Sequence, residues 1–163
     1  TVYLCGSVSL PPRALLAALL GALAGPGCRT ALGGGGGAAA VIPPAEAYER
    51  PSDFKGEWLG ESAGRLGTLM IEGLGGARYY GRFESEDKTL AYVANMQQRS
   101  ATPAGEDAPT PANLMTFTWQ DGRGGRGEGW LLINREDSAL SGVIYFGDGQ
   151  ARSAALTFIR VDE

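Results

Sequence analysis

The groups in this chain that could do chemistry are few, and most sit at spacings that argue against it. Gly122-Arg123-Gly124-Gly125-Arg126-Gly127 matches the G-x-G-x-x-G pattern in which a glycine turn brings backbone amides to a pyrophosphate. That chemistry needs a strand before the turn and a helix N-terminus after it, because the helix supplies the donors. The residues that follow, Gly129 to Ile133, alternate like a strand instead. The motif therefore reads as a flexible hairpin with two solvated arginines, and no cofactor is expected. Carboxylates are plentiful, but Glu84, Glu86, Asp87, Glu136, Asp137 and Asp148 fall at predicted turns, while Glu57, Glu61 and Glu72 fall on the predicted outer face of strands. Acid–base hydrolysis of the glycosidase kind needs two carboxyls facing each other in a cleft.

The chain has no histidine, which removes His-dependent triads, most zinc sites and the usual proton shuttle near neutrality. Its two cysteines, Cys5 and Cys28, both precede the predicted folded part, so neither a domain disulfide nor a Cys metal cage is expected. The formal net charge of −4 gives no basic face for nucleic acid. On these grounds the expectation is a protein that is not an enzyme, holds no metal and binds no nucleic acid.

What remains is an aromatic and sulfur-bearing set, Tyr79, Phe83, Tyr92, Met96, Phe117 and Trp119, together with Trp58 and Arg160 near the two ends of the predicted domain. The elements that must position them are strands. Phe54, Gly56, Trp58 and Gly60 share one face of the first. Leu69 and Ile71 lie on the second, and Tyr79, Gly81 and Phe83 on the third. Leu90, Tyr92, Ala94 and Met96 lie on the fourth, and Met115, Phe117 and Trp119 on the fifth. Gly127, Gly129, Leu131 and Ile133 lie on the sixth, Leu140, Gly142, Ile144 and Phe146 on the seventh, and Leu156, Phe158 and Arg160 on the eighth. Period-two alternation is the signature of a half-buried strand. The runs are separated by turn formers such as Ser62-Ala63-Gly64, Asp121-Gly122 and Asp148-Gly149. Short even spacing with no helical period predicts an all-β antiparallel up-and-down meander, and eight strands suffice to close it into a barrel. Glycines within strands would bend the sheet at its corners. One long connection is expected between the fourth and fifth strands, Arg99 to Ala112, rich in proline.

Gly56-Glu57-Trp58 on the first strand and Arg160 late on the last resemble the calycin barrels, the lipocalin and avidin families. The resemblance implies an eight-stranded meander barrel whose floor is closed by Trp58 under the Arg160 guanidinium. It does not extend to biotin binding: where the avidin family carries an Asn and a Ser for the ureido group, this chain has Gly60 and Arg65.

The chain before the barrel has its own logic. Arg13 precedes an apolar run from Ala14 to Ala24, which fits the hydrophobic region of a secretory signal and is short for a membrane span. Two endings compete. Ala22-Leu23-Ala24 suits ordinary leader cleavage, and Gly25-Pro26-Gly27-Cys28 resembles a bacterial lipobox in which Cys28 would carry the lipid. Residues 29–52, with glycine throughout 33–37 and prolines at 43, 44 and 51, read as a flexible tether. The expected organisation is a leader at 1–28, a tether at 29–52 and a barrel at 53–163, in a protein exported to the cell envelope or secreted.

Two functions fit that organisation. If the inward glycines leave room beside the aromatics, the barrel binds a small apolar or amphipathic molecule, with Tyr79, Phe83, Tyr92, Met96, Phe117 and Trp119 lining the site. If the interior is filled by its own side chains, the barrel is a protein-interaction module, such as a periplasmic enzyme inhibitor, and its partner is an envelope protein.

Overall fold

A computed structural model describes residues 41–147 and 152–161. Eight strands follow one another: β1 (Gly56–Ser62), β2 (Arg65–Gly75), β3 (Arg78–Ser85), β4 (Ala91–Ala101), β5 (Thr110–Asp121), β6 (Arg126–Ile133), β7 (Ala139–Phe146) and β8 (Arg152–Arg160). Each pairs antiparallel with the next, and β8 returns to pair with β1, so the sheet closes in chain order. Closure leaves no unpaired edge strand among the described residues.

The alternation seen in the sequence is the alternation of burial. Along β3, Tyr79, Gly81, Phe83 and Ser85 point inward while Arg78 and Arg82 stay exposed. The inward set from all eight strands forms one core, with Phe54 from the segment before β1 added to it. Local chemistry sets the turns. Ala63 and Gly64 both take positive φ, 52° and 76°, as a two-residue hairpin requires. Between β3 and β4, Asp87 Oδ1 accepts hydrogen bonds from Ser85 Oγ, Thr89 N and Thr89 Oγ1. These bonds, with Arg65 nearby, hold its carboxyl well below the usual carboxylate range. Between β5 and β6, Asp121 Oδ1 accepts from the amides of Arg123 and Gly125.

Two features differ from the sequence reading. The proline-rich connection is shorter than Arg99 to Ala112. Past a register shift between Gln98 and Ser100, the strands pair again as Ser100↔Pro111 and Ala101↔Thr110, leaving residues 102–109 as the loop. Proline is tolerated at such an irregular strand end because few ladder bonds are lost there. The second difference concerns the segment expected as tether. Residues 46–54 form a strap held to the barrel. Glu46 N donates to Asn113 Oδ1 at 2.8 Å, and Asn113 N donates to Glu46 O at 2.9 Å. Asn113 Nδ2 donates to the Tyr48 hydroxyl at 2.8 Å. Gln98 Nε2 then reaches Ser52 O, and Phe54 is fully buried. Composition cannot foresee this, because the anchors are side chains from distant strands. Leu114, beside Asn113 in the irregular stretch of β5, is also buried, at 2% exposed.

Candidate functional site

The ends of the strands define the two ends of the barrel. The starts of β1, β3, β5 and β7 and the strap gather at one end, the floor. The β1–β2, β3–β4 and β5–β6 turns gather at the other, the rim.

At the floor, Trp58 and Arg160 stand opposite each other in the β1–β8 register. The Trp58 ring is fully buried, and its Nε1 donates to Phe54 O at 3.0 Å. The Arg160 guanidinium carbon lies 4.2 Å from the Trp58 ring centroid. Its nitrogens donate to the backbone carbonyls of Asp53, Lys55 and Asp137. A guanidinium taken from water must be stacked or paired, and a planar fork of donors does both at once. Arg160 thus ties the strap, β1 and the β6–β7 turn into one closure.

The six residues expected to line a ligand site all face inward and belong to the same core: Tyr79, Phe83, Tyr92, Met96, Phe117 and Trp119 are each buried. They contact one another directly. Phe83 and Tyr92 stack with centroids 5.2 Å apart. Tyr92 meets Trp119 at 5.7 Å, and Trp119 meets Phe146 edge-on at 5.4 Å. The polar tips that could have oriented a ligand have partners within the protein. Tyr79 Oη donates to Gln98 Oε1 at 2.8 Å. Tyr92 Oη and Ser62 Oγ share a hydrogen bond of 3.0 Å, and Trp119 Nε1 donates to Tyr145 O at 2.9 Å. Burial pushes the Tyr92 hydroxyl up to about 12, against a smaller opposing effect of Ser62. Burial, helped by the Asp53 carboxylate, raises Tyr79 as well.

The inward glycines decide how much space is left. Gly129 stands directly opposite Phe117, and Gly127 directly opposite Trp119. A Cβ at Gly129 would overlap the Phe117 ring, and one at Gly127 would sit 2.7 Å from Trp119 Nε1. The aromatic rings lie over the glycines, so the small residues admit neighbouring side chains. On the neighbouring strands β3 and β4, Met96 Sδ occupies the equivalent space over Gly81. Grooves of about 330 and 480 Å³ lie on the outer wall, bordered by residues such as Asn95, Thr118 and Glu128.

Sequence reasoning missed three polar residues that matter here. Gln98 is buried and spends its amide on three partners, Tyr79, Ser52 and Ala112. The signal was present: Gln98 continues the inward series Tyr92, Ala94, Met96 at period two. Ser62 likewise continues the inward face of Trp58 and Gly60. Asn113 likewise stands at period two before the inward Met115, Phe117 and Trp119, although the irregular pairing near Gln98 leaves its neighbours Ala112 and Leu114 buried as well. Of the other chemistry-bearing candidates, Gly122-Arg123-Gly124-Gly125 forms the β5–β6 turn and leads into a strand, so no helix dipole faces it. Glu57, Glu61 and Glu72 are exposed on the outer wall. Cys28, the rest of the expected leader and residues 29–40 of the expected tether lie outside the described residues.

The molecule is thus a closed eight-stranded up-and-down β-barrel of calycin-like architecture. No family model, no curated protein and no solved structure matches the chain.

Proposed function

We propose that this chain is an exported, non-enzymatic β-barrel that works as a protein-interaction module of the cell envelope. The observation that carries this reading is the interior. Phe117 and Trp119 lie over Gly129 and Gly127, and the polar tips of Tyr79, Tyr92 and Trp119 bond within the protein. A carrier for small apolar molecules keeps an apolar cavity with a few unpaired polar groups aimed into it. A filled barrel instead offers recognition through its outer surface. The scarcity of chemistry-bearing groups, with no histidine and carboxylates at turns and on the outer wall, supports a non-catalytic role. Export rests on Arg13, the apolar run from Ala14 to Ala24, and either the Ala22-Leu23-Ala24 or the Cys28 ending.

The test is capture of crosslinked partners from an envelope extract with the full chain, alongside native mass spectrometry of the purified protein. A protein partner with a bare barrel mass is the expected outcome. A bound lipid or other small molecule, with no protein captured, would favour the carrier. Palmitate labelling in a Gram-negative host separates the two leader endings: label lost in Cys28→Ser marks a lipid anchor, and unlabelled protein beginning at Gly25 marks simple secretion. Full-length protein that keeps residues 1–24 in the cytoplasm would contradict export.

A further inference from the structure

We infer that the outer wall formed by β8, β1 and β2 is the docking face, and that it takes a protein surface presenting apolar side chains flanked by Lys or Arg. This rests on the interaction-module reading and names its surface and partner chemistry. In the sheet register Leu59 lies between Thr68 and Ile159, Glu57 lies beside Met70, and Glu61 lies between Leu66 and Thr157. Val161 N bonds Glu57 O, which extends the same strip by one row. Ile159 is 62% exposed and Leu66 61%, and Leu59, Met70 and Val161 are exposed too. Scattered apolar side chains need no explanation, but a contiguous patch with a polar rim marks an interaction site.

The charge around the strip selects the occupant. Glu57, Glu61 and Glu72 are exposed, and among the described residues none of them has an ion-pair partner. Of the nearby cations, Lys55 pairs with Asp53, Arg65 with Asp87 and Arg82 with Glu84. The wall is therefore an apolar strip with unneutralised carboxylates, complementary to a cationic apolar surface. Two copies related by a twofold axis would bring Glu57 and Glu61 against their counterparts. An anionic lipid surface would be repelled. Because the barrel is closed, recognition here runs through side chains and not through strand addition to a free edge.

The probe is a short synthetic peptide alternating Lys and Leu, with its Glu/Leu counterpart as control, titrated against the full chain by fluorescence anisotropy. The Lys/Leu peptide binds the unmodified protein, and Leu59→Ser with Ile159→Ser weakens it about tenfold. Glu57→Gln with Glu61→Gln weakens it and flattens its salt dependence. Glu106→Gln with Asp107→Asn, in the loop after β4, leaves it unchanged. All substituted side chains are exposed, and near-UV circular dichroism checks that each variant is folded. The assignment is overturned if the wall variants bind as well as the parent, if the Glu/Leu peptide binds equally, or if phosphatidylglycerol vesicles bind in preference. It is also overturned if the protein is a dimer that Leu59→Ser with Ile159→Ser dissociates. An envelope partner captured equally by parent and wall variants would refute this face and leave the interaction reading standing. Wall-dependent peptide binding by a barrel found to carry a small molecule inside would refute that reading and leave the face.

Discussion

The two ends of this barrel are closed by different chemistry. The floor is built on one cation and is long-range: Arg160 stacks on Trp58 and collects backbone carbonyls of Asp53, Lys55 and Asp137, which bring together parts of the chain more than a hundred residues apart. The strap is pinned to the same end through Asn113 and Gln98. The rim is local: stacked rings of Phe83, Tyr92 and Trp119, a hydroxyl pair at Ser62 and Tyr92, and turns fixed by their own Asp87 and Asp121, with Arg65 paired to Asp87. A floor that depends on distant segments is a cooperative unit, since removing one member frees several partners. A rim built from local turns and side-chain stacking tolerates the loss of one bond.

Breaking the floor should therefore cost most. Trp58→Ala removes a fully buried ring, orphans Phe54 O and leaves the Arg160 guanidinium without its face. A loss of about 3–5 kcal/mol is expected in denaturant unfolding. A loss near that of a surface substitution would show that the floor is no part of the cooperative core. Asn113→Ala comes next. It cuts the side-chain bonds to Glu46 N and the Tyr48 hydroxyl, leaves the backbone bond from Asn113 N to Glu46 O, and is expected to cost about 1–3 kcal/mol. Limited proteolysis should then cleave before residue 54 while the barrel stays intact; cleavage no faster than in the parent would contradict the strap's dependence on Asn113.

Tyr92→Phe, at the rim, should cost least, about 1 kcal/mol, because it deletes one buried hydroxyl bond and leaves the ring in place. It should also change the response to alkali. The unfolded chain releases a tyrosine proton near pH 10. Burial holds the folded Tyr92 proton until about pH 12. Between those values the unfolded state is favoured, so Tyr92's contribution is intact below about pH 10 and is lost as pH rises through about 12. Tyr92→Phe should flatten that part of the alkaline stability curve. An unchanged slope would mean that the hydroxyl is not desolvated at the rim.

Much of this comparison was legible in the sequence, for identifiable reasons. Trp58 and Arg160 announce themselves because a closing barrel must place its first and last strands side by side, and both residues share the inward register. The inward aromatics follow from alternation alone. The strap was not legible, because Pro and Gly punctuation reads the same whether a segment hangs free or is held by Asn113 and Gln98 from β5 and β4. The state of the interior was not legible either. Glycine opposite an aromatic on the next strand allows a cavity or a ring lying over the glycine. Only the cross-strand pairs Phe117↔Gly129 and Trp119↔Gly127, with the side-chain directions, choose between them.

The filled interior is the central claim, and xenon tests it most directly, because the gas occupies dry apolar cavities without needing polar contacts. Crystals of the protein pressurised with xenon are predicted to show no gas site among Phe83, Tyr92, Met96, Phe117 and Trp119. A xenon atom bound within that ring cluster would contradict the packed barrel and return the interior to the role of a ligand cavity.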